Sequence, residues 1–291
     1  MSFIKGKILD GKEFAKSLYK ICDQKLKELK EDHTLVPGLA IVRVGEDEAS
    51  KIYVANKLKK AEECGIHATE YYFNSKTSQK VLNNKIEHLN NDQRTNGIIV
   101  QLPLPRHINA TQLINLIDPE KDVDGFSIQN VGRLHTWQEC LEPCTPTGIV
   151  MLLKQLYKDL GGLKVTIIGR SLIVGRPLAG MLLKENCTIK ILHSKSTKLK
   201  QETKDADILI SAVGNPKMVK KDWIKKGSCV IDIGITRDSD TGKLLGDVDF
   251  DDVIDKVSYI TPVPGGVGPI TVACLILNTI KATYIQKKIP L

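Results

Sequence analysis

Short apolar or β-branched runs alternate with amphipathic helical stretches along most of this chain. That alternation restricts the fold more than any other feature. Asp10 to about Glu31 has the spacing of an amphipathic helix and precedes a strand at Leu39–Val44, after Pro37-Gly38. A helix from about Ser50 to Cys64, closed by Gly65 in the C-cap role, leads to a strand at Ala68–Phe73. A helix over Gln79–Asn91 and a strand at Gly97–Val100 follow. From Arg106 to Pro146 the periodicity fades into a loop-rich stretch that reads as a domain junction. Thr147–Leu160 is helical again, with strands at Val165–Ile168, Thr188–Leu192, Ile208–Val213 and Cys229–Ile233. The segment TPVPGGVGPIT at 261–271 is too rich in Pro and Gly for regular structure, and a final helix runs from about Thr271 to Ile285. The pattern predicts an α/β fold with largely parallel sheet covered on both faces.

Composition narrows the class. With 291 residues, 42% of them hydrophobic and 26% charged, the chain has material for one large or two modest domains of ordinary globular type. No stretch reaches the roughly 18 consecutive apolar residues of a membrane span, and the amino terminus MSFIKGKILDGKEFAK lacks the apolar centre of a secretory signal. Seven cysteines without a C-x-x-C pair point to reduced thiols and a cytoplasmic setting. Cys140 and Cys144 in CLEPC have no His or Cys cluster to complete a metal site, so no metal is expected. The net charge of +8 comes from scattered lysines rather than a basic patch. A solvated surface that attracts phosphates or carboxylates accounts for it better than nucleic-acid binding.

The stretch VTIIGRSLIVGRP at 165–177 has the shape of a strand opening through a glycine turn into a helix. Gly169 suits the tight turn, Gly175 close helix–sheet packing, and Pro177 the first helical turn. A helix start with free N–H groups suits a phosphate. Ser171 stands where the second glycine of a dinucleotide motif belongs, so the pattern by itself fits an ordinary βα loop as well. The next strand tips the balance. NAD sites place an Asp or Glu about twenty residues on, to bind the ribose hydroxyls. This chain has His193-Ser194-Lys195 there, which with Arg170 suits a ribose 2′-phosphate and favours NADP.

On a helical wheel for residues 50–64, Val54, Leu58, Ala61 and Cys64 form an apolar stripe, and Lys57 lies within it. Ser50 and Tyr53 share that face by i, i+3, i+7 spacing. One account is a lysine snorkelling from the edge of a packed face. The other is a partly desolvated lysine able to transfer protons, with Tyr53 one turn earlier to stack on a flat substrate. Gln101 follows a strand at the end where α/β folds gather ligands. Asp122 and Asp124 lie in another loop, as surface turn residues or as carboxylates for amidine-like edges of a heterocycle.

These segments together resemble the bifunctional methylenetetrahydrofolate dehydrogenase/methenyltetrahydrofolate cyclohydrolase family, essentially end to end. The residues that carry the match are VGEDEASKIYVANK (44–57), GIIVQLPLP (97–105), PEKDVDGF (119–126) and PCTPTG (143–148). IIGRSLIVGRP (167–177), HSKST (193–197), DIGI (232–235) and TPVPGGVGPIT (261–271) continue it in order. The resemblance implies an amino-terminal α/β folate domain over 1–146, completed by 271–291 as the final helix returns to it. A Rossmann-type NADP-binding domain would span 147–270. It further implies oxidation of 5,10-methylenetetrahydrofolate with NADP to the methenyl form, then hydrolysis to 10-formyltetrahydrofolate. One-carbon supply for purine and amino-acid biosynthesis and a homodimer belong to the same expectation.

Residue by residue, Lys57 matches the family's proton-handling lysine, Gln101 its hydrogen-bond partner, Tyr53 the folate-stacking aromatic and Asp124 the carboxylate on the pterin edge. Ser50, Gly268 and Thr271 match the folate side. Gly169, Arg170, Ser171, Ser194, Ile235 and Thr145 match cofactor contacts. The loop at 126–142 carries no interpretable motif, and His135 and Trp137 read as ordinary loop residues. A single-function NADP dehydrogenase with a structural Lys57 is the alternative.

Overall fold

The computed structural model describes residues 2–5, 7–239 and 241–290. Its two compact units are Met1–Ser17 with Thr145–Thr271, and Leu18–Cys144 with Val272–Leu291. Both are α/β.

The second of these units is built on a three-stranded parallel sheet with Gly38–Val44 at its centre, His67–Phe73 on one side and Gly97–Val100 on the other. Every residue of the central strand is buried, as its run, apolar but for Arg43, requires; Arg43 Nε donates to Glu70 Oε1 on the neighbouring strand at 2.6 Å. The helix Gln79–Asn91 buries Leu82, Ile86 and Leu89, spaced i, i+4, i+7, against Val42, Ile98 and Leu113. Ile98 also bridges in parallel to Asp122, which lays the segment beyond Lys121 along the outer edge of Gly97–Val100. The final helix packs here, as the resemblance implies. Tyr284 is buried with its hydroxyl on the Lys25 carbonyl at 3.2 Å, and Gln286 Nε2 donates to the Asn96 and Glu120 carbonyls.

The other unit holds a seven-stranded sheet in the order Ile4–Lys5, Ile8–Leu9, Tyr259–Ile260, Cys229–Asp232, Ile208–Ser211, Lys164–Ile168, Thr188–Leu192. All neighbours run parallel except the first two strands. The chain moves outward from Lys164–Ile168 to the Thr188–Leu192 edge, then crosses to Ile208–Ser211 on the other side. The crevice between those directions, beyond the carboxyl ends of the strands, is where such sheets bind ligands. Residues 1–17 join this unit because Ile8 pairs with Ile260 and Gly11 N donates to the Gly265 carbonyl.

Two sequence expectations are corrected. The stretch 106–146 contains helices at Ala110–Asn115 and Ile128–His135, each started by a capping side chain: Asn109 accepts from Gln112 N and Ser127 from Asn130 N. The segment 261–271 is not wholly irregular, since the last helix begins at Val267. Pro269 falls in its first turn, where a missing N–H leaves no intrahelical bond unmade.

Candidate active site

Three elements of the smaller sheet's unit bring polar side chains together. The helix Glu48–Glu63 is started by Asp47, whose carboxylate accepts from Ser50 N at 2.8 Å, and ends before Gly65 in the left-handed region. Its buried face is Ser50, Val54 and Ala61. Lys57 stands half-buried beside that face, one turn beyond Val54. The Gly97–Val100 strand ends in Gln101, whose N–H continues the ladder to the Val42 carbonyl at 2.9 Å. From there Gln101 Oε1 accepts from Lys57 Nζ at 3.1 Å, and its Nε2 donates to the Leu102 carbonyl at 2.8 Å. Ser50 Oγ donates to the same carbonyl at 3.4 Å.

Asp124 comes from the segment bridged to that strand through Asp122. Burial pushes its carboxyl above the ordinary carboxylate range; Lys57 opposes the rise and Asp122 adds to it. Asp122 is not the surface turn residue that its neighbourhood suggests. It is buried, and its Oδ2 accepts from Ser127 N at 2.8 Å and Asn130 Nδ2 at 3.0 Å. Tyr53, one turn before Lys57, is exposed along part of its ring, and burial of the rest raises its hydroxyl. This grouping pairs a cation on a neutral amide with a carboxyl and a flat aromatic. Such a set suits a heterocycle that needs proton transfer at one atom and recognition along one edge.

Sequence reading missed Asn278. Its Nδ2 donates to the Val123 carbonyl at 2.8 Å and the Glu142 carbonyl at 2.7 Å, fixing the backbone just before Asp124 and just before Cys144. The signal was a lone amide inside the apolar run CLILNTI. Cys144, whose thiol is driven up by burial and by Asp124, donates to the Val123 carbonyl at 3.3 Å. His135 and Trp137 end up at a helix terminus and just beyond it, with Trp137 largely exposed.

In the larger sheet's unit, the turn after Lys164–Ile168 is shaped around glycine. Gly169 has φ 127°, and a Cβ there would press on the Ala212 carbonyl at 2.5 Å. A Cβ on Gly175 would run into the Gly169 carbonyl. Ser171 replaces the expected glycine with a hydroxyl that accepts from Val174 N at 3.1 Å and Gly175 N at 3.3 Å, closing the turn into the Gly175–Lys184 helix. Arg170 and Ser171 are exposed. Ser194 and Lys195 are exposed too, directly after the adjoining Thr188–Leu192 strand, while Ile235 follows Cys229–Asp232. The close backbone approach and the hydroxyl and cationic groups without a carboxylate fit a dinucleotide with a 2′-phosphate. Thr145 and Thr271 share a hydrogen bond of 2.9 Å, and open space lies over Gly268.

Comparison with known proteins matches both regions. Residues 9–124 fit the family model of the tetrahydrofolate dehydrogenase/cyclohydrolase catalytic domain, and residues 143–287 that of its NAD(P)-binding domain. The chain is similar to bifunctional protein FolD 2 of Paracoccus denitrificans, with 50% identity over 95% of this chain and 92% of that one. It is also similar to the bifunctional FolD of a Wolbachia from Brugia malayi, at 48% over 97% of each. Among solved structures, the bifunctional FolD of Campylobacter jejuni superposes with TM-score 0.93 and 43% identity, covering 96% of this chain and 99% of that one. The Trypanosoma brucei FolD complexed with NADP cofactor and inhibitor gives TM-score 0.92 and 34% identity, covering 97% and 98%.

Proposed function

The chain belongs to the tetrahydrofolate dehydrogenase/cyclohydrolase family, and on that premise we propose that it is a bifunctional enzyme of folate one-carbon chemistry. It oxidises 5,10-methylenetetrahydrofolate with NADP to 5,10-methenyltetrahydrofolate, then hydrolyses the product to 10-formyltetrahydrofolate. The observation that carries the reading is the Lys57–Gln101 hydrogen bond with Asp124 beside it, in the unit matched by the catalytic-domain model.

NADP, when bound, takes up the hydride from the methylene carbon. The protein's own work is to bind and align, through Gly169, Arg170, Ser171, Ser194 and Ile235 on the cofactor and Tyr53 and Asp124 on the folate. In the second step water adds to the cationic methenyl carbon and gives up one proton to solvent. The carbon–nitrogen bond to N5 then breaks as the formyl C=O forms, and the remaining hydroxyl proton passes to N5. Lys57 moves that proton, a role supported by the hydrogen bond through which Gln101 holds its amine in line. Ser50 supports the Leu102 turn, and Gly268, Thr271 and Thr145 line the ligands.

The test mixes the purified chain with 5,10-methylenetetrahydrofolate and NADP or NAD, following reduced cofactor and methenyl product together. NADP reduction without methenyl accumulation supports both activities. Stoichiometric accumulation leaves a dehydrogenase alone, and no reduction with either cofactor ends the reading.

A homodimer and a cytoplasmic setting complete the proposal. Thr188–Leu192 is an edge strand that exposes Ile191, and the neighbouring helix exposes Leu183, an apolar edge suited to a second copy. All seven cysteines are free, which suits a reducing compartment. The helix Val267–Lys287 is long and apolar enough to cross a membrane, but most of it is buried, as in a core helix. The product would serve as a formyl donor for purine biosynthesis, and the one-carbon units the enzyme handles would also serve amino-acid biosynthesis.

A further inference from the structure

The DIGI segment, part of the family match, contains an acid that the proposed chemistry does not use. Asp232 ends its strand, and Asp247 lies fifteen residues on; they are 3% and 0% exposed. Asp247 Oδ2 accepts from Ser211 Oγ at 2.9 Å and Val213 N at 2.8 Å, and its Oδ1 accepts from Asn215 N at 2.8 Å. Asp232 Oδ1 accepts from Gly234 N at 2.9 Å and Asp247 N at 3.0 Å, and its Oδ2 from Val248 N at 2.9 Å. Glycines make room for both carboxylates. A Cβ on Gly234 would overlap Asp247 Cγ, and one on Gly246 would overlap Asp232 Oδ2.

Two buried carboxylates are an expensive way to hold a core together, because apolar packing does it without desolvating charge. What they collect here is specific. Asp247 takes the N–H groups of the turn leaving Ile208–Ser211, while Asp232 takes Gly234 N of the turn leaving its own strand and ties Asp247 in place through Asp247 N and Val248 N. The first turn, Val213-Gly214-Asn215, follows Ala212, whose carbonyl closes against Gly169 of the dinucleotide turn. The second carries Ile235, and Thr236 Oγ1 ties it to the first through the Gly214 carbonyl at 3.2 Å. Val213 and Ile235 both leave 41% of their surface exposed at this end of the sheet. Exposed apolar side chains on turns anchored from beneath by carboxylates make a wall for a ligand rather than a core.

We infer that Asp247, braced by Asp232, is a positioning residue for the dinucleotide. It fixes the Val213–Asn215 turn so that Val213 and Ile235 face the bound cofactor as one apolar wall. The inference rests on the NADP reading proposed above. Asp247 touches neither ligand, so its loss weakens cofactor binding in ground and transition states alike and spares the hydrolytic step.

The experiment measures NADP affinity by calorimetry and both activities, in the wild-type chain and in Asp247→Asn. The amide leaves one turn N–H facing an NH2 group. The expected result is an NADP Kd and KM raised about tenfold or more, from one buried donor left unpaired. Dehydrogenase kcat at saturating NADP and cofactor-free hydrolysis of methenyltetrahydrofolate should both be retained. Unchanged NADP affinity in a variant that still hydrolyses overturns the inference. A wild-type chain that binds no NADP overturns the functional reading itself. Should Asp247→Asn fail to fold, Ser211→Ala decides: it removes one donor to Oδ2, and a higher NADP KM with unchanged hydrolysis supports the role, while an unchanged KM rejects it.

Discussion

Lys57 Nζ donates to Gln101 Oε1 at 3.1 Å across the gap between a helix and a strand end, and the amide's other face is committed to the Leu102 carbonyl. The amide cannot turn over without breaking a bond, so its acceptor stays aimed at the amine. Lys57→Met should lower hydrolysis of methenyltetrahydrofolate by roughly 10²–10⁴-fold, the range for a lost proton-transfer group. Hydride transfer should largely survive, and methenyl product should accumulate. Gln101→Leu, which removes the orienting acceptor, should cost hydrolysis less than Lys57→Met does. Parallel absorbance traces for reduced cofactor and methenyl product check both; equal loss of the two activities would count against a proton-transfer role.

Asp124 carries a pH consequence. Burial raises its carboxyl above the ordinary carboxylate range, so it takes up a proton earlier than a free aspartate as pH falls. A pterin edge offers donors, which an ionised carboxylate accepts and a protonated one meets poorly. The KM for folate should therefore rise on moving from neutral toward acidic pH, with Lys57→Met shifting the rise toward neutrality because the opposing cation is gone. Asp124→Asn should start from a higher KM and lose the acidic limb. Initial-rate KM values across the pH range decide it.

The absence of a carboxylate after Thr188–Leu192 should set cofactor choice. Ser194→Asp places a negative charge where the 2′-phosphate is expected. It should raise the NADP KM by roughly tenfold to a hundredfold, the scale of one charge-assisted hydrogen bond, while the NAD KM falls or holds. Steady-state rates with both cofactors, for the wild type and the variant, show whether the preference moves.

Much of this was legible because it is local. Leu82, Ile86 and Leu89 announced the Gln79–Asn91 helix by spacing, and Lys57 stood out as a cation in an apolar stripe. The illegible parts depend on partners far along the chain or on single capping atoms. The two-residue strand Ile8–Leu9 exists because Ile8 pairs with Ile260, and no local pattern encodes that. The Ile128–His135 helix starts on one Ser127 side chain, inside a stretch too short for periodicity to register. At the site, Lys57 and Gln101 were found separately from spacing and strand ends, but only the fold brings them within reach. Nothing local singles out Asp247, since its donors come from Ser211, Val213 and Asn215 at another strand's end. Nor does anything local single out Asp232, which reads as one more strand residue although its carboxylate collects Asp247 N and Val248 N from fifteen residues on.

The same acids give a stability prediction whose sign is opposite to that of a salt-bridged carboxylate. Burial, aided by Asp247 and opposed by the N–H groups of Val248, Asp247 and Gly234, raises the Asp232 carboxyl from 3.8 to about 7. Between those values the folded chain keeps a proton that the unfolded chain has released. Stability from this group is therefore intact below 3.8, declines as pH rises toward about 7, and is level beyond. The decline is at most about 1.4 kcal/mol per pH unit within the window. Asp232→Asn has no ionisation to lose. Its thermal midpoint should sit below the wild type's at acidic pH, because the amide meets Val248 N or another donor with an NH2 group, and the gap should narrow on approaching neutrality. Thermal unfolding of both proteins in steps across the window measures it, and a gap that stays constant with pH would place the carboxyl in its ordinary range.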